Sequence, residues 1–423
     1  MRIRISIPLA TLALMAGTAV AQDLALRALM EDVPETHIIQ ELLPEFELET
    51  GIAVEFEIVQ YGAMHDKLIT QMLSPTNTYD LLQVDFLWAG EFPAGGWLEP
   101  LEPYVQDSGF DLEPYMPSML ELVGYYEDTL YMIPMYNYAM GLIYRTDVLE
   151  DPELAATYEA EFGRPLRLPE SVEEYVETSV FISQNSDMAG AVMQGQRGDP
   201  NFLEFANYLF GLGGDFVDAD WNVTLDSDVG RQAMALYARN LQDAAPVGSL
   251  NYNLDDTYRV MCQGAAWSFV SYWWMLPQVD SADDCPAAAG NLALAPMPGG
   301  NGVAGGWGWG IPHNSANKDA AWRFIEWVES KDIVLQRALA GHAPTRSDAF
   351  TDEDVLAAYP YYADVAAIVE SAMSVPLFEY TAQMEEDVGR EISLASAGTK
   401  ASDQATADAA DALRQLLERA GLQ

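Results

Sequence analysis

The sequence predicts an α/β protein built from two lobes, and two observations lead to this fold class. The chain has 423 residues, half of them hydrophobic, which is more than a single hydrophobic core usually supports. Strand and helix patterns also alternate along much of the chain, as they do in parallel βαβ units. In such folds the functional loops follow the carboxyl ends of the strands, so those positions are the first candidates for a site.

The first five elements are predicted from the spacing of their apolar residues. Residues 23–29 and 52–58 are predicted as strands, the second from its alternating pattern, and 34–50 and 65–73 as amphipathic helices. Residues 79–84 form a short apolar run typical of a buried strand. This strand ends at Asp85, which therefore lies where a functional loop is expected.

The middle of the chain contains two predicted crossings between the lobes. Residues 130–138 are aromatic, predicted as extended and broken by Pro134, and 141–149 are predicted as a new strand meeting a new helix. Helices dominate 171–243, with a glycine-rich break at 211–215. A strand at 291–295 precedes the second crossing at 296–300.

Two helices are predicted near the end, at 317–330 and 401–420. In the first, Ala321, Phe324, Ile325 and Val328 share one face. The domain prediction is a signal peptide at 1–21, a first lobe of 22–133 and 297–332, and a second lobe of 134–296 and 333–423.

The amino terminus has the features of an export signal. Arg2 and Arg4 precede an apolar stretch too short to span a bilayer, and small residues follow at 19–21. We expect cleavage after Ala21 and a periplasmic protein.

The charge of the chain excludes one class of partner. It carries 65 acidic and 20 basic residues, for a formal net charge of −45. No basic patch could displace counterions from phosphates, so we expect no nucleic-acid partner. We expect a monomer with a small-molecule ligand.

The two cysteines, Cys262 and Cys285, leave two alternatives. An oxidising compartment and an even count favour a disulfide, which would contribute about 3 kcal/mol in the chain-entropy model. The other possibility is a pair of buried free thiols.

Five of the ten tryptophans lie between Trp267 and Trp309. Trp307 and Trp309 alternate with glycines, which fill little space around an indole, and this favours rings that face a ligand. Trp267 and Trp273 lie in a largely apolar stretch, where packing in the core is an equal alternative.

Catalytic and metal-binding patterns are lacking. The four histidines, His37, His65, His313 and His342, have no metal-ligand spacing, and we interpret each as a surface or capping residue. No nucleophile elbow or phosphate-binding loop is found, so no metal, cofactor or enzymatic activity is expected. Because acidic residues are abundant, a glycosidase carboxylate pair remains an alternative.

Several segments resemble one known family. Residues 79–88 and 96–101, the run 141–147, and 305–311 with 320–327 are similar in sequence and order to the family 1 extracellular solute-binding proteins of ABC sugar importers, the group that includes maltose- and trehalose-binding proteins. Residues 262–267 resemble a further family segment, although Trp267 stands where methionine is usual. The resemblance implies two α/β lobes that are joined by hinge crossings and close around a ligand in the cleft.

The resemblance also implies a set of ligand-binding residues. These are Glu31, Asp32, Tyr61, Asp85, Trp88, Tyr136, Asn137, Trp273 or Trp274, Gly306, Trp307 and Arg346, with Tyr380 as a further match. Adjacent residues of an extended segment point to opposite faces, so only one of Trp273 and Trp274 is expected to stack on a ligand. Arg346 has a structural alternative as the partner of a structural carboxylate, and Tyr136 and Tyr138 have one as residues that pack the hinge.

The function expected from this resemblance is capture of a carbohydrate, meaning a mono-, di- or short oligosaccharide or a polyol, for delivery to an ABC permease. Two other classes remain open. A polyamine or other cation binder would use the same aromatic residues around an ammonium group. A secreted glycoside-active enzyme would also have a tryptophan-lined cleft.

Overall fold

The computed structural model describes residues 24–74, 76 and 78–423. The predicted signal peptide and its cleavage site lie outside these residues. The strands are β1 Ala25–Glu31, β2 Ala53–Val59, β3 Leu81–Asp85, β4 Tyr125–Tyr126, β5 Thr129–Leu130, β6 Met132–Arg145, β7 Ser268–Tyr272, β8 Leu292–Ala295 and β9 Ala304–Gly310. The fold is mixed α/β, as the sequence predicts.

Nineteen α-helices accompany these strands in the described part of the chain. They are α1 Pro34–Thr50, α2 Tyr61–Leu73, α3 Glu91–Ala94, α4 Glu102–Ser108, α5 Pro117–Met119, α6 Thr146–Leu149, α7 Pro152–Phe162, α8 Val172–Asn185, α9 Asp199–Gly211, α10 Asp228–Asp243, α11 Leu254–Cys262, α12 Met275–Val279, α13 Lys318–Val328, α14 Lys331–Leu339, α15 Ser347–Phe350, α16 Glu353–Ala358, α17 Tyr362–Ser371, α18 Thr381–Ser396 and α19 Ser402–Ala420. Within the described residues, no helix is both long enough and apolar enough to span a membrane.

The early elements agree closely with their predictions. Helix α1 has the predicted bounds, and β1, β2 and β3 lie within about two residues of theirs. Helix α2 begins at Tyr61, four residues before the predicted start, which places Tyr61 on its first turn. Its apolar contacts come from Met64, Leu68 and Met72, which recur at helical spacing.

The principal sheet has the order β2-β1-β3-β9-β6-β7, with β8 also paired to β6. Strands β1, β2 and β3 are parallel to one another, whereas β9 runs antiparallel between β3 and β6. The parallel strands are connected by α1 and α2, as expected for βαβ units. Their carboxyl ends therefore lie at the same edge of the sheet.

Strand β6 is one continuous strand, not the two segments predicted from the sequence. Its first half pairs with β9, and its second half pairs with β7 and β8. The register shifts between Pro134 and Tyr136, so a bulge accommodates the proline without ending the strand. The predicted boundary at 133/134 falls inside β6, and the one at 332/333 falls inside α14.

A buried network holds the carbonyl groups at this bulge. Arg337 Nη2 donates to the Met135 carbonyl oxygen at 2.9 Å, and Thr345 Oγ1 donates to that of Pro134 at 3.1 Å. Arg337 Nη1 also pairs with Glu329 at 2.8 Å, and both side chains are only 1% exposed. This network ties the segment after α14 to the start of β6.

Five long helices, α8, α9, α10, α18 and α19, pack mainly on each other. Helix α10 packs against α8 and α9, and the carboxyl-terminal helix α18 packs against α9 and α10 while α19 packs against α10 and α18. Leu413, Leu416 and Leu417 form the buried stripe of α19, as its apolar spacing predicts. A disulfide joins Cys262, the last residue of α11, to Cys285, so the disulfide alternative is the one found in the structure.

Candidate functional site

Three side chains are brought into one row by the register of the sheet. Asp85, the last residue of β3, is paired with Trp307 of β9, and Trp307 is paired with Tyr136 of β6. Residues directly opposite one another on adjacent strands project from the same face. The indole and phenol rings stack at 6.2 Å with an interplanar angle of 22°.

The glycines around Trp307 make room for neighbouring side chains. A Cβ atom at Gly305 would lie 1.9 Å from the ring of Tyr138, and one at Gly306 would lie 2.4 Å from Met119 Cε. Because real Cβ atoms do not approach so closely, a larger residue at Gly305 would displace the Tyr138 ring, whereas at Gly306 the flexible end of Met119 would have to move. The glycines therefore allow β6 and β9 to carry large side chains at their contact.

A cavity of about 840 Å³ lies over this row. Nine of the residues implied by the resemblance line it: Glu31, Asp32, Tyr61, Asp85, Trp88, Tyr136, Trp274, Trp307 and Tyr380. Glu31 and Asp85 end parallel strands β1 and β3, and Trp88 follows in the short 3₁₀ turn Phe86–Trp88. The strand-end loops thus meet at the cavity, as the βαβ pattern predicts.

Aromatic rings form two walls of the cavity. On one side Tyr61 stacks on Trp88 at 5.6 Å, and Trp307 meets Trp88 edge-on at 5.5 Å. In a second group, Tyr272 stacks on Trp274 at 5.7 Å with an angle of 10°. Such faces can take the apolar side of a sugar ring or an ammonium group out of water.

The polar lining is strongly acidic. Its acidic side chains are Glu31, Asp32, Asp66, Asp85, Glu91, Asp199, Asp255, Glu379, Glu385 and Glu386. The basic side chains are Arg197, which pairs with Glu386 at 3.2 Å, and His65, which contacts Glu91 at 2.7 Å. The cavity thus holds many hydrogen-bond acceptors and few positive charges.

Burial, joined in most cases by repulsion from neighbouring carboxylates, raises the pKa of several carboxyl groups that line the cavity. Burial and the negative charge of Asp199 raise the pKa of Asp85 to about 8, although the hydroxyl of Tyr138 donates to its Oδ1 at 2.9 Å. Burial also raises the pKa of Asp199 to about 7 and that of Glu385 well above its usual range. Burial and Asp85 raise the pKa of Glu31, whose Oε2 accepts from Tyr136 at 3.3 Å. These groups form one electrostatic cluster.

Trp273 and Asn137 lie outside the cavity lining and bond to each other. Trp273 Nε1 donates to Asn137 Oδ1 at 2.9 Å, and Asn137 Nδ2 donates to the Pro344 carbonyl oxygen. Trp273 follows the end of β7, is fully buried and packs against the ring of Tyr362 at 5.3 Å. Of the two adjacent tryptophans, the structure therefore places only Trp274 at the cavity.

Gly306, Arg346 and Trp309 also lie outside the lining. Gly306 faces Met119 and the Tyr136 carbonyl, and Arg346 forms a two-point ion pair with Asp348 at 3.0 and 2.9 Å. Trp309 is fully buried, and its Nε1 donates to Glu329 Oε1 at 2.9 Å. For Arg346, pairing with a structural carboxylate is therefore the alternative found. The expectation that Trp309 faces the ligand is wrong, because Phe324 of α13 packs on its ring and covers this end of β9.

Two histidines differ from the surface role expected for them. His65 lines the cavity beside Trp88, and His342 is fully buried against the Met135 carbonyl at 3.2 Å. The spacing of the histidines could not show this, because burial depends on distant segments.

Among the further lining residues that the sequence did not select are Tyr138, Tyr272, Asp199 and Glu385. Alternation could have found two of them, since Tyr138 shares the face of Tyr136 and Tyr272 is opposite to Trp273. No local signal distinguishes Asp199 or Glu385 from the other acidic residues of the chain.

A buried carboxyl beneath the cavity gives a testable pH dependence. Glu35 is 1% exposed, and burial raises its pKa from an ordinary 4.5 to about 7. The folded state therefore holds this proton more tightly, and stability falls as the pH rises between these values, by about 3 kcal/mol. Between pH 5 and pH 8 this proton contributes a decrease in the free energy of unfolding of the parent. In Glu35→Gln, which has no such proton, we expect the decrease to be smaller by about 3 kcal/mol.

Urea unfolding at the two pH values, without ligand, measures this difference. Glu45→Gln on the exposed side of the same helix is the matched control and should keep the parent's pH dependence. Equal losses in the parent and Glu35→Gln would contradict the prediction.

Comparison with known proteins places the chain among transport proteins. Residues 32–334 match the family model described as bacterial extracellular solute-binding protein. A probable amino-acid ABC transporter periplasmic-binding protein of Sinorhizobium fredii is 24% identical over 396 residues, covering 89% of this chain and 85% of that protein.

Two solved structures have the same fold. An ABC transporter solute-binding protein from Agrobacterium radiobacter in complex with ribitol is 25% identical, with a TM-score of 0.82 over 93% of this chain and 98% of that one. MalE3 of T. maritima with bound maltose is 26% identical, with a TM-score of 0.82 over 93% and 100%. The family match covers well over half of the sequence, and the cavity lies where the strand-end loops converge. This chain therefore belongs to the family of bacterial extracellular solute-binding proteins.

Proposed function

We propose that this protein captures a carbohydrate, a mono-, di- or short oligosaccharide or a polyol, in the aromatic cavity. The observation that carries the proposal is the row of Asp85, Trp307 and Tyr136 across three paired strands. A stacked ring covers the apolar face of a sugar, while a carboxylate at its edge accepts hydrogen bonds from hydroxyl groups. The ribitol- and maltose-bound structures of similar proteins support this ligand class.

The proposed ligand contacts are the predicted residues that line the cavity together with Tyr138 and Tyr272. We propose that residues 134–138 and 296–300 act as hinges between two lobes. The lobes have about the predicted boundaries, except that the boundary predicted at 332/333 moves so that it does not divide helix α14. A ligand that touches both lobes would favour the closed arrangement. The protein would act as a monomer in the periplasm, after cleavage following Ala21, and would deliver its ligand to an ABC permease without acting as an enzyme.

A second candidate ligand is a polyamine or another organic cation, and the acidic lining favours it. Aromatic faces and carboxylates together form a suitable environment for ammonium groups. An amino acid, suggested by the name of the Sinorhizobium relative, fits less well. Its α-carboxylate would enter a cavity in which Arg197 and His65 already have acidic partners.

Calorimetric titration against sugars, polyols, amino acids and polyamines tests the proposal. We expect saturable binding of at least one carbohydrate. Binding confined to amino acids or to polyamines would contradict it. Release of reducing sugar from an oligosaccharide by the pure protein would instead favour the glycoside-active enzyme.

A further inference from the structure

Four carboxylates line the same cavity although no basic side chain of the described residues forms an ion pair with any of them. Of the ten cavity carboxylates, Asp32, Glu91 and Glu386 form ion pairs and the other seven form none among the described residues. Four of these seven, Glu31, Asp85, Asp199 and Glu385, share a pKa raised by burial. They come from four separate elements, β1, β3, α9 and α18. The fold therefore gathers them from distant parts of the chain.

These carboxylates are close enough to repel one another. Repulsion from Asp199 contributes to the raised pKa of both Asp85 and Glu385, and repulsion from Asp85 contributes to that of Glu31. Hydroxyl groups of a neutral sugar would satisfy individual oxygens but would not offset this repulsion, which would then be relieved only by proton uptake. A positive charge among the four groups would remove it.

The rings beside the cluster suit the same charge. Tyr138 contacts Asp85 through its hydroxyl and meets Tyr272 edge-on at 4.8 Å. Tyr61 and Trp88 form a stacked pair close to the carboxylate of Asp85. Electron-rich faces beside carboxylates are the usual surroundings of a bound ammonium group in proteins.

A polyamine alone does not account for the rest of the cavity. The volume of about 840 Å³ is much larger than a thin aliphatic chain needs, and two stacked aromatic pairs present broad faces. Trp274 lines the cavity and stacks on Tyr272, so it adds an aromatic face that a thin aliphatic chain would not cover.

We propose that the ligand is an amine-bearing carbohydrate, with its ammonium group held among Glu31, Asp85, Asp199 and Glu385 and its ring stacked on the aromatic walls. This inference rests on the proposed function, since it specifies the chemical class of the carbohydrate.

Calorimetric titration at pH 7.5 with matched sugars tests the charge directly. The probes are glucosamine and its β-1,4-linked disaccharide, each compared with its N-acetylated form and with glucose or cellobiose. We expect at least one amine probe to bind at least tenfold more tightly than both of its neutral counterparts. Equal or tighter binding of a neutral counterpart, or no binding of either amine probe, would overturn the inference.

The same titrations separate this inference from the proposed function. Binding of neutral sugars without a preference for amines would overturn the inference and leave carbohydrate capture standing. Binding of polyamines alone would contradict both.

Charge-removing variants locate the ammonium group. Asp199→Asn and Glu385→Gln should each lower the affinity for the preferred amine probe at least tenfold, while the affinity for its hydroxyl counterpart changes less than threefold. Asp283→Asn removes an exposed carboxylate outside the cavity and should leave both affinities unchanged. Equal losses for the amine and hydroxyl probes in the cavity variants would show that these carboxylates do not recognise a charge.

Discussion

Replacing Trp307 by alanine is expected to weaken carbohydrate binding at least tenfold. Trp307 is 2% exposed and contacts three other rings of the cavity, those of Tyr61, Trp88 and Tyr136. Loss of a central aromatic side chain of this kind removes the stacking face and loosens the rings around it, at a cost of about 2 kcal/mol or more in binding free energy. Titration of the parent and the variant with the same carbohydrate gives the two dissociation constants.

Trp309→Phe is the matched control for this effect. Trp309 lies on the same strand but outside the cavity, where its Nε1 bonds to Glu329. We expect this control to lower stability while the dissociation constant stays within about twofold of the parent. Unchanged affinity in Trp307→Ala would remove Trp307 from the binding site, and near-ultraviolet circular dichroism would show whether each variant keeps its packed aromatic core.

The largest expected loss of stability follows from replacing Arg337 by methionine. The guanidinium group donates to the carbonyl oxygens of Val328 and Met135 at 2.7 and 2.9 Å and pairs with Glu329. Removing one partner of a buried ion pair leaves the other charge without compensation, which typically costs 3–5 kcal/mol. The midpoint and slope of urea unfolding measure the change.

A second substitution distinguishes the ion pair from simple loss of packing. Arg337→Met combined with Glu329→Gln should recover part of the lost stability, because no unpaired carboxylate then remains buried. Arg323→Met, on the exposed side of α13, is the control and should change stability by less than about 0.5 kcal/mol. A loss below 1 kcal/mol in Arg337→Met would show that the network does not stabilise the β6 bulge.

The local pattern of the sequence was sufficient for the first part of the fold. The helix Pro34–Thr50 was predicted from the spacing of its apolar residues, because it buries one face, and the strand that ends at Asp85 from its apolar run, because it is buried along its whole length. Strand β9 has no such pattern, because it is rich in glycine, and glycine has a low preference for strands. Its position depends on pairing with β3 and β6, which are distant in sequence.

The site was predicted in part for the same reason. Glu31, Asp85 and Trp88 follow the ends of strands that the sequence reveals, and they line the cavity. Asn137 and Trp273 have residue types suited to sugar binding, yet they bond to each other in the core. Residue type alone could not show whether a side chain lines the cavity or packs in the core.

The sequence by itself determined the α/β class, the approximate order of many of the elements and the aromatic and acidic character of the chain, because periodicity and composition are local properties. The tertiary structure decided which aromatic and acidic residues meet. Strand register places Trp307 between Asp85 and Tyr136, and the cover of α13 places Trp309 in the core. Packing between α9, α18 and the strand ends brings Asp199 and Glu385 toward Asp85. These are long-range contacts, fixed by burial of whole faces, and no short segment of the sequence contains them.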